Sequence, residues 1–215
     1  MRAALQFPTP IGWEAYAACA SSLEAAETSS FFETELSALE RTIAGALERP
    51  RRAGVAEDYV VFRVGRLQDS DGRKVSPNVL QDEELVPLLL GERRQLASPA
   101  RRDLLQHRLS YYEDDLTVLT WDNALVVEPR ETDYDVEYVL EFANALLLEL
   151  RLYDAELDAG LPVLYDRIEA TRGRRRPFTR SFRRVLSDLQ TRVADVTEVV
   201  ERAENAFKVL DDVYL

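Results

Sequence analysis

Scarcity marks this chain before pattern does. It has one cysteine (Cys19), one histidine (His107) and one methionine, and of its 27 basic residues only Lys74 and Lys208 are lysine. A single cysteine excludes an internal disulfide framework and any zinc site built on several thiolates, and it suits a reducing compartment. A single histidine, with no serine or cysteine in a nucleophile context, gives no triad to assemble. The eight glycines never fall as GxGxxG or as a Walker-type phosphate loop, and HExxH and GxSxG are absent. Nucleotide hydrolases, metalloproteases and serine hydrolases therefore have no motif here. Long apolar runs are missing too. Clusters such as Leu146 to Leu148 meet a charge within a few residues, well short of the ~18 apolar residues a membrane-spanning helix needs. The N-terminus lacks the basic start and apolar run of a signal peptide, so a soluble cytosolic chain is the expectation.

What is present is ordinary for a folded domain: 46% hydrophobic and 31% charged residues. The formal net charge is −12, so any contact with nucleic acid has to use a local basic patch. Residues 11–48 read as two helices, the second opening on a capping box of Ser30 and Glu33 and carrying Phe32, Leu36, Leu39, Ile43 and Leu47 as its apolar stripe. The β-branched and aromatic run from Tyr59 to Leu67 predicts a strand, followed by a turn at DSDGRK. That turn has the opening letters of a calcium loop without the later ligands. Two short helices are expected over 81–91 and 98–109, the second capped by Ser98 with Pro99 at its first position. In DLTVLTWDNALVVEP two apolar runs flank Asp122-Asn123, which predicts a hairpin turning on that dipeptide. RAALQF near the N-terminus is a candidate edge strand.

From Thr132 onward the pattern is helical. Asp133, Asp135 and Glu137 meet the positive end of the helix dipole. Val139, Phe142 and Leu146 recur eleven residues on as Leu150, Tyr153 and Leu157, then as Leu161, Leu164 and Ile168, which keeps one stripe on a nearly straight helix. A kink is expected at Gly160 and Pro162. Leu186, Leu189, Val193, Val196, Val200, Ala203, Phe207, Leu210 and Tyr214 then form a heptad seam. The sequence thus predicts an α+β protein: a mixed α/β domain over 1–130, with a small antiparallel sheet and flanking helices. A long antiparallel helical hairpin follows over 131–215, with an Arg-rich turn near 172–177 and a heptad helix over 178–215. The seam packs on its own hairpin partner or on another subunit.

Three features are candidates for chemistry. Glu149 and Arg151 sit two apart in a leucine-dense stretch and cannot face each other on a helix. Arg151 can reach Asp154, and an arginine of the hairpin domain or of the last helix is the natural partner for Glu149. The acids at 113–115 and at 133, 135 and 137 could hold magnesium, although strand entry and helix capping account for them more simply. Arg172, Arg174, Arg175, Arg176, Arg180, Arg183 and Arg184 cluster around Phe178 and Phe182. That combination suits an anionic partner such as RNA or lipid headgroups, and it also suits neutralisation of the chain's own acids. His107 reads as a helix-surface or hinge residue, and Cys19 as a small apolar side chain. No cofactor, resident metal or small-molecule substrate is expected.

Trp121 with the strand after it, Asn144, the LLELR run carrying Glu149 and Arg151, Tyr153-Asp154 and the ending LDDVYL together resemble the family of the mitochondrial proteins called required for meiotic nuclear division. The resemblance covers roughly 57–215 and implies an oligomeric, membrane-associated assembly factor anchored by an apolar segment beyond Leu215. The ending VTEVVERAENAFKVLDDVYL is also similar to the stalk helix of CorA-type magnesium transporters, which implies a cytosolic sensing domain. The leading expectation is a non-enzymatic scaffold that joins copies of itself or a protein partner through the heptad helix. The alternatives are the transporter domain and an RNA-binding protein using Arg172 to Arg184.

Overall fold

A computed structural model describes residues 2–24, 32–46, 54–91 and 94–172, together with 183, 186–187, 190–191, 193–198 and 200–202 of the last helical stretch. The chain is α+β. It divides into two compact units, one of residues 1–51 and 58–139, the other of 52–57 and 140–215.

The first unit is built on a four-stranded mixed sheet in the order β1-β4-β3-β2, with β1 at Val60–Val64, β2 at His107–Leu109, β3 at Leu116–Leu119 and β4 at Asn123–Val127. β4 is central, parallel to β1 and antiparallel to β3. Every residue of this NALVV strand is buried, the continuous apolar pattern of a strand covered on both faces. The sheet is therefore mixed rather than wholly antiparallel, because β1, far from β4 in the chain, adds to its free edge in parallel.

One face carries the core. Register aligns Phe62, Leu125 and Val118 across three strands. Leu80, Leu85, Leu88 and Leu89 pack on them, as do Ala20, Trp13, Tyr16 and Ala17. These residues come from helix α1 (Trp13–Glu24), helix α3 (Asp82–Leu90) and the segment before α3. Helix α3 starts where Glu84 Oε2 accepts the Gln81 N–H at 2.8 Å. It ends at Gly91, whose φ of 63° is the left-handed cap that glycine takes at low cost. Helix α4 (Ser98–Leu104) is tied to α3 by Arg101, which pairs with Glu83 at 3.1 Å and Asp82 at 3.7 Å.

Several sequence expectations are corrected. The second helix, α2 (Glu33–Ile43), follows Phe32, and its Leu39 and Ile43 stay exposed, while Ser30 and Leu47 lie outside the described residues. The cap of α4 is Ala97, so Ser98 and Pro99 are its first two helical residues. That helix also stops at Leu104, because His107–Leu109 pairs with β3 as an edge strand. His107 is accordingly a strand residue opposite Leu119. Residues 2–7 form no strand. The hairpin turns on Trp121-Asp122, one residue earlier than expected, since Leu119 pairs with Ala124 and Thr120 faces Asn123. The DSDGRK turn forms as expected: Asp69 Oδ1 accepts from the amides of Asp71 and Arg73, and Gly72 takes a φ of 78°.

Helix α5 (Asp135–Arg172) runs unbroken through Gly160 and Pro162. In the second unit its leucines are half-buried at 146, 147, 150 and 152, and Leu148 is exposed, so the helix is not enclosed on all sides. The described residues from 183 to 202 are helical as well, and Arg202 lies 3.5 Å from Glu149 of α5. Leu189, Ala203, Phe207, Leu210 and Tyr214 of the heptad seam lie outside the described residues.

Candidate functional site

The densest polar constellation of the first unit lies on the sheet face opposite the leucine core. Alternation along β1 puts Phe62 into the core and turns Arg63 to the other side. There Arg63 pairs with Glu137 in the first turn of α5, and Glu137 is only 5% exposed. The second Arg63 amino group donates to the carbonyls of Asp133 at 2.8 Å and Arg130 at 3.0 Å. Its guanidinium also lies 4.4 Å from the ring centre of Tyr134. One arginine thus satisfies a buried carboxylate and two loop carbonyls and stacks on an aromatic face, which is the geometry that distinguishes Arg from Lys. On the strand's outer side, Tyr16 Oη donates to the Arg63 carbonyl at 3.1 Å, and burial pushes the Tyr16 phenol up to about 12.

A second constellation flanks it. Arg130 pairs with Glu128 at 3.0 Å and Asp133 at 2.8 Å and approaches the Tyr112 ring at 5.7 Å. The Glu128 carboxylate and its neighbours hold the Arg130 guanidinium charged far above ordinary conditions. Lys74 meets Asp114 at 2.5 Å and lowers that carboxyl. Asp115 Oδ1 accepts the amides of Tyr111 and Tyr112 at 2.8 and 3.1 Å. Of the acids that could have gathered a magnesium ion, Asp114, Asp115, Asp133 and Glu137 are therefore spread over separate cation and amide partners. Among the described residues no group of three or more histidines, cysteines or acids is placed to hold a metal. A shallow depression lined by Ala17, Ala18, Ser21, Pro87 and Gly91 brings no titratable side chain together.

The other residues singled out from sequence lie elsewhere. Trp121 stands at the hairpin tip with 82% exposure. The sequence places Asn123, two residues on, in the turn and gives no sign of its burial. This side chain is buried, and its Nδ2 donates at 2.8 Å to the Leu89 carbonyl at the end of α3. Tyr59 secures the same hairpin, its hydroxyl donating to the carbonyls of Asn123 at 2.7 Å and Thr120 at 3.2 Å. Burial, helped by Asp122, pushes that phenol up to about 12.

In the second unit Asn144, Glu149 and Tyr153 are half-buried on α5, while Arg151 and Asp154 are exposed. Arg151 does not bind Asp154. It lies 2.5 Å from Glu57 Oε1, a buried oxygen that the pair neutralises without hydrogen-bond geometry. Glu149 meets Arg202. Burial and the nearby Glu149 and Asp195 carboxylates raise the Tyr153 phenol. Of the arginine cluster, Arg172 is the last residue of α5 and Arg183 is helical and exposed. Arg174, Arg175, Arg176, Arg180 and Arg184 lie outside the described residues.

Residues 2–134 match the family described as "Uncharacterized protein MJ0711, N-terminal domain". The chain belongs to this family. Within it, the Methanocaldococcus jannaschii protein "Uncharacterized protein MJ0711" is 26% identical over 106 residues, 49% of this chain. The match spans about a third of the archaeal relative, 31% of its length. No solved structure matches the chain.

The family match corrects the resemblance to the meiotic nuclear division proteins, to which nothing in it leads. Much of that resemblance rested on Asn144, Glu149, Arg151, Tyr153 and Asp154. These belong to an amphipathic helix, where leucine, acid and arginine recur for reasons of packing alone. The transporter-like ending covers 196–215, most of it beyond the described residues. No helix among the described residues is long and apolar enough to cross a membrane.

Proposed function

We propose that this protein is a non-enzymatic assembly module, in which an α+β domain is joined to a helical hairpin that brings copies of the chain together. The observation that carries the reading is a row of apolar side chains on the last helical stretch. Leu186, Val193 and Val200 follow one another at seven-residue spacing and are 40%, 54% and 41% exposed in the single chain. A heptad row open to water gives a lone helix no benefit, and covering it by another helix is what such spacing serves. Packing within the hairpin uses a neighbouring face, where Asp195 and Val196 are half-buried and Arg202 reaches Glu149. The polar constellations of the first unit support the non-enzymatic part. Arg63, Glu137, Arg130, Lys74 and Asp114 are spent on fastening loops and helix starts to the sheet. The test is sedimentation of the full chain over a concentration series. Self-association that strengthens with concentration is expected, and a monomer at every concentration would sink the reading.

A further inference from the structure

Resting on that reading, we infer that the partner on this row is a second copy of the chain, docked antiparallel across a two-fold axis at Val193. The row is symmetric about its middle member. Turned end to end, Leu186 of one copy meets Val200 of the other, and the two Val193 side chains face each other, as an isologous contact requires. At ~1.5 Å rise per residue the row spans ~21 Å, four helical turns.

The surroundings of the row point to the same occupant. Two copies of a chain with net charge −12 repel each other unless they meet through a neutral strip. Among the described residues one flank of the row is such a strip: Gln190, Ala194 and Thr197 border it, all exposed and none charged. The Thr197 hydroxyl already donates to the Val193 carbonyl at 2.8 Å, so burying it leaves no donor unpaired. Charge polarity then fixes the direction. Arg183 is exposed at the start of the strip and Glu201 at its end. An antiparallel pair sets Arg183 of each copy beside Glu201 of the other, whereas a parallel pair leaves the two at opposite ends of the strip. The nearby Arg202 is already committed to Glu149. Two hairpins joined this way make a four-helix bundle.

The test uses the full chain. Val193→Glu places two carboxylates face to face on the axis, and it is expected to abolish the dimer while the far-ultraviolet circular dichroism stays helical. Arg183→Glu and Glu201→Arg alone should each weaken dimerisation, and together restore it. In a Cys19→Ser background, Leu186→Cys alone should form no intermolecular disulfide, while mixing it with Val200→Cys should yield the cross-linked dimer. A wild-type chain that stays monomeric removes the assembly reading and this inference with it. A wild-type oligomer left intact by Val193→Glu overturns the inference alone. So does self-cross-linking of Leu186→Cys, which reports parallel strands.

Discussion

Asn123 and Leu89 lie 34 positions apart in sequence, yet the amide of one closes the helix that ends at the other, its Nδ2 donating to the Leu89 carbonyl at 2.8 Å. The last carbonyls of a helix have no partner within it, and here one of them is satisfied from the first residue of the central strand. The contact sets α3 against β4 at the centre of the core. Replacing Asn123 by Leu leaves that carbonyl buried and unpaired, which costs ~1–3 kcal/mol. Urea unfolding of Asn123→Leu should show a lower midpoint at unchanged slope. An unshifted midpoint would mean that water or a rearranged turn takes over the bond.

Arg63 and Glu137 fasten the start of α5 to the sheet. With Glu137 at 5% exposure, removing Arg63 strands a buried carboxylate. Breaking such a pair costs ~3–5 kcal/mol, and we place this one near the lower end because Arg63 keeps 22% exposure. Arg63→Met and Glu137→Gln should each lower stability strongly. The double variant should lose less than the two single losses added together, since each single change already abolishes the pair. Strict additivity in a double-mutant cycle would show that the two groups act independently.

The degree to which this fold was legible varies by residue, and for physical reasons. The α+β class and the strands at 60–64, 116–119 and 123–127 follow from short β-branched and apolar runs, a signal local to each segment. The parallel pairing of β1 with β4 could not be read, because it joins segments some sixty residues apart and leaves no mark on either. His107–Leu109 reads as helical from sequence since a three-residue edge strand has too few residues to show a period of two, and only its pairing with β3 decides it. Asn123 differs from its expected place by a single position. Asp and Asn are both good turn residues, and the burial that claims Asn123 for the strand comes from α3. Arg63 is the one charge in β1, and an arginine inside VVFRV is itself a signal that a buried acid waits opposite. Sequence alone makes Glu137 a dipole-capping acid, a role that its position in the first turn of α5 allows alongside the pairing with Arg63.

Two tyrosines make stability depend on alkaline pH. Burial pushes the phenols of Tyr16 and Tyr59 up to about 12 in the folded chain, against ~10 in an unfolded one. The fold therefore holds their protons more tightly than the unfolded chain does. Their contribution is fully present below pH ~10, and it is lost as pH rises through ~10 to ~12, where the unfolded state ionises first. Thermal melting should accordingly be level in this respect from neutrality to pH ~9 and fall steeply above pH ~10. Tyr16→Phe removes one hydroxyl bonded to the Arg63 carbonyl, and Tyr59→Phe one bonded to the carbonyls of Thr120 and Asn123. Each should cost ~1 kcal/mol at pH 7 and at the same time flatten the alkaline fall, so variant and wild-type curves converge as pH rises. Parallel curves would assign the alkaline loss to other groups. A shallower curve for one variant alone would single out the phenol that the fold protects.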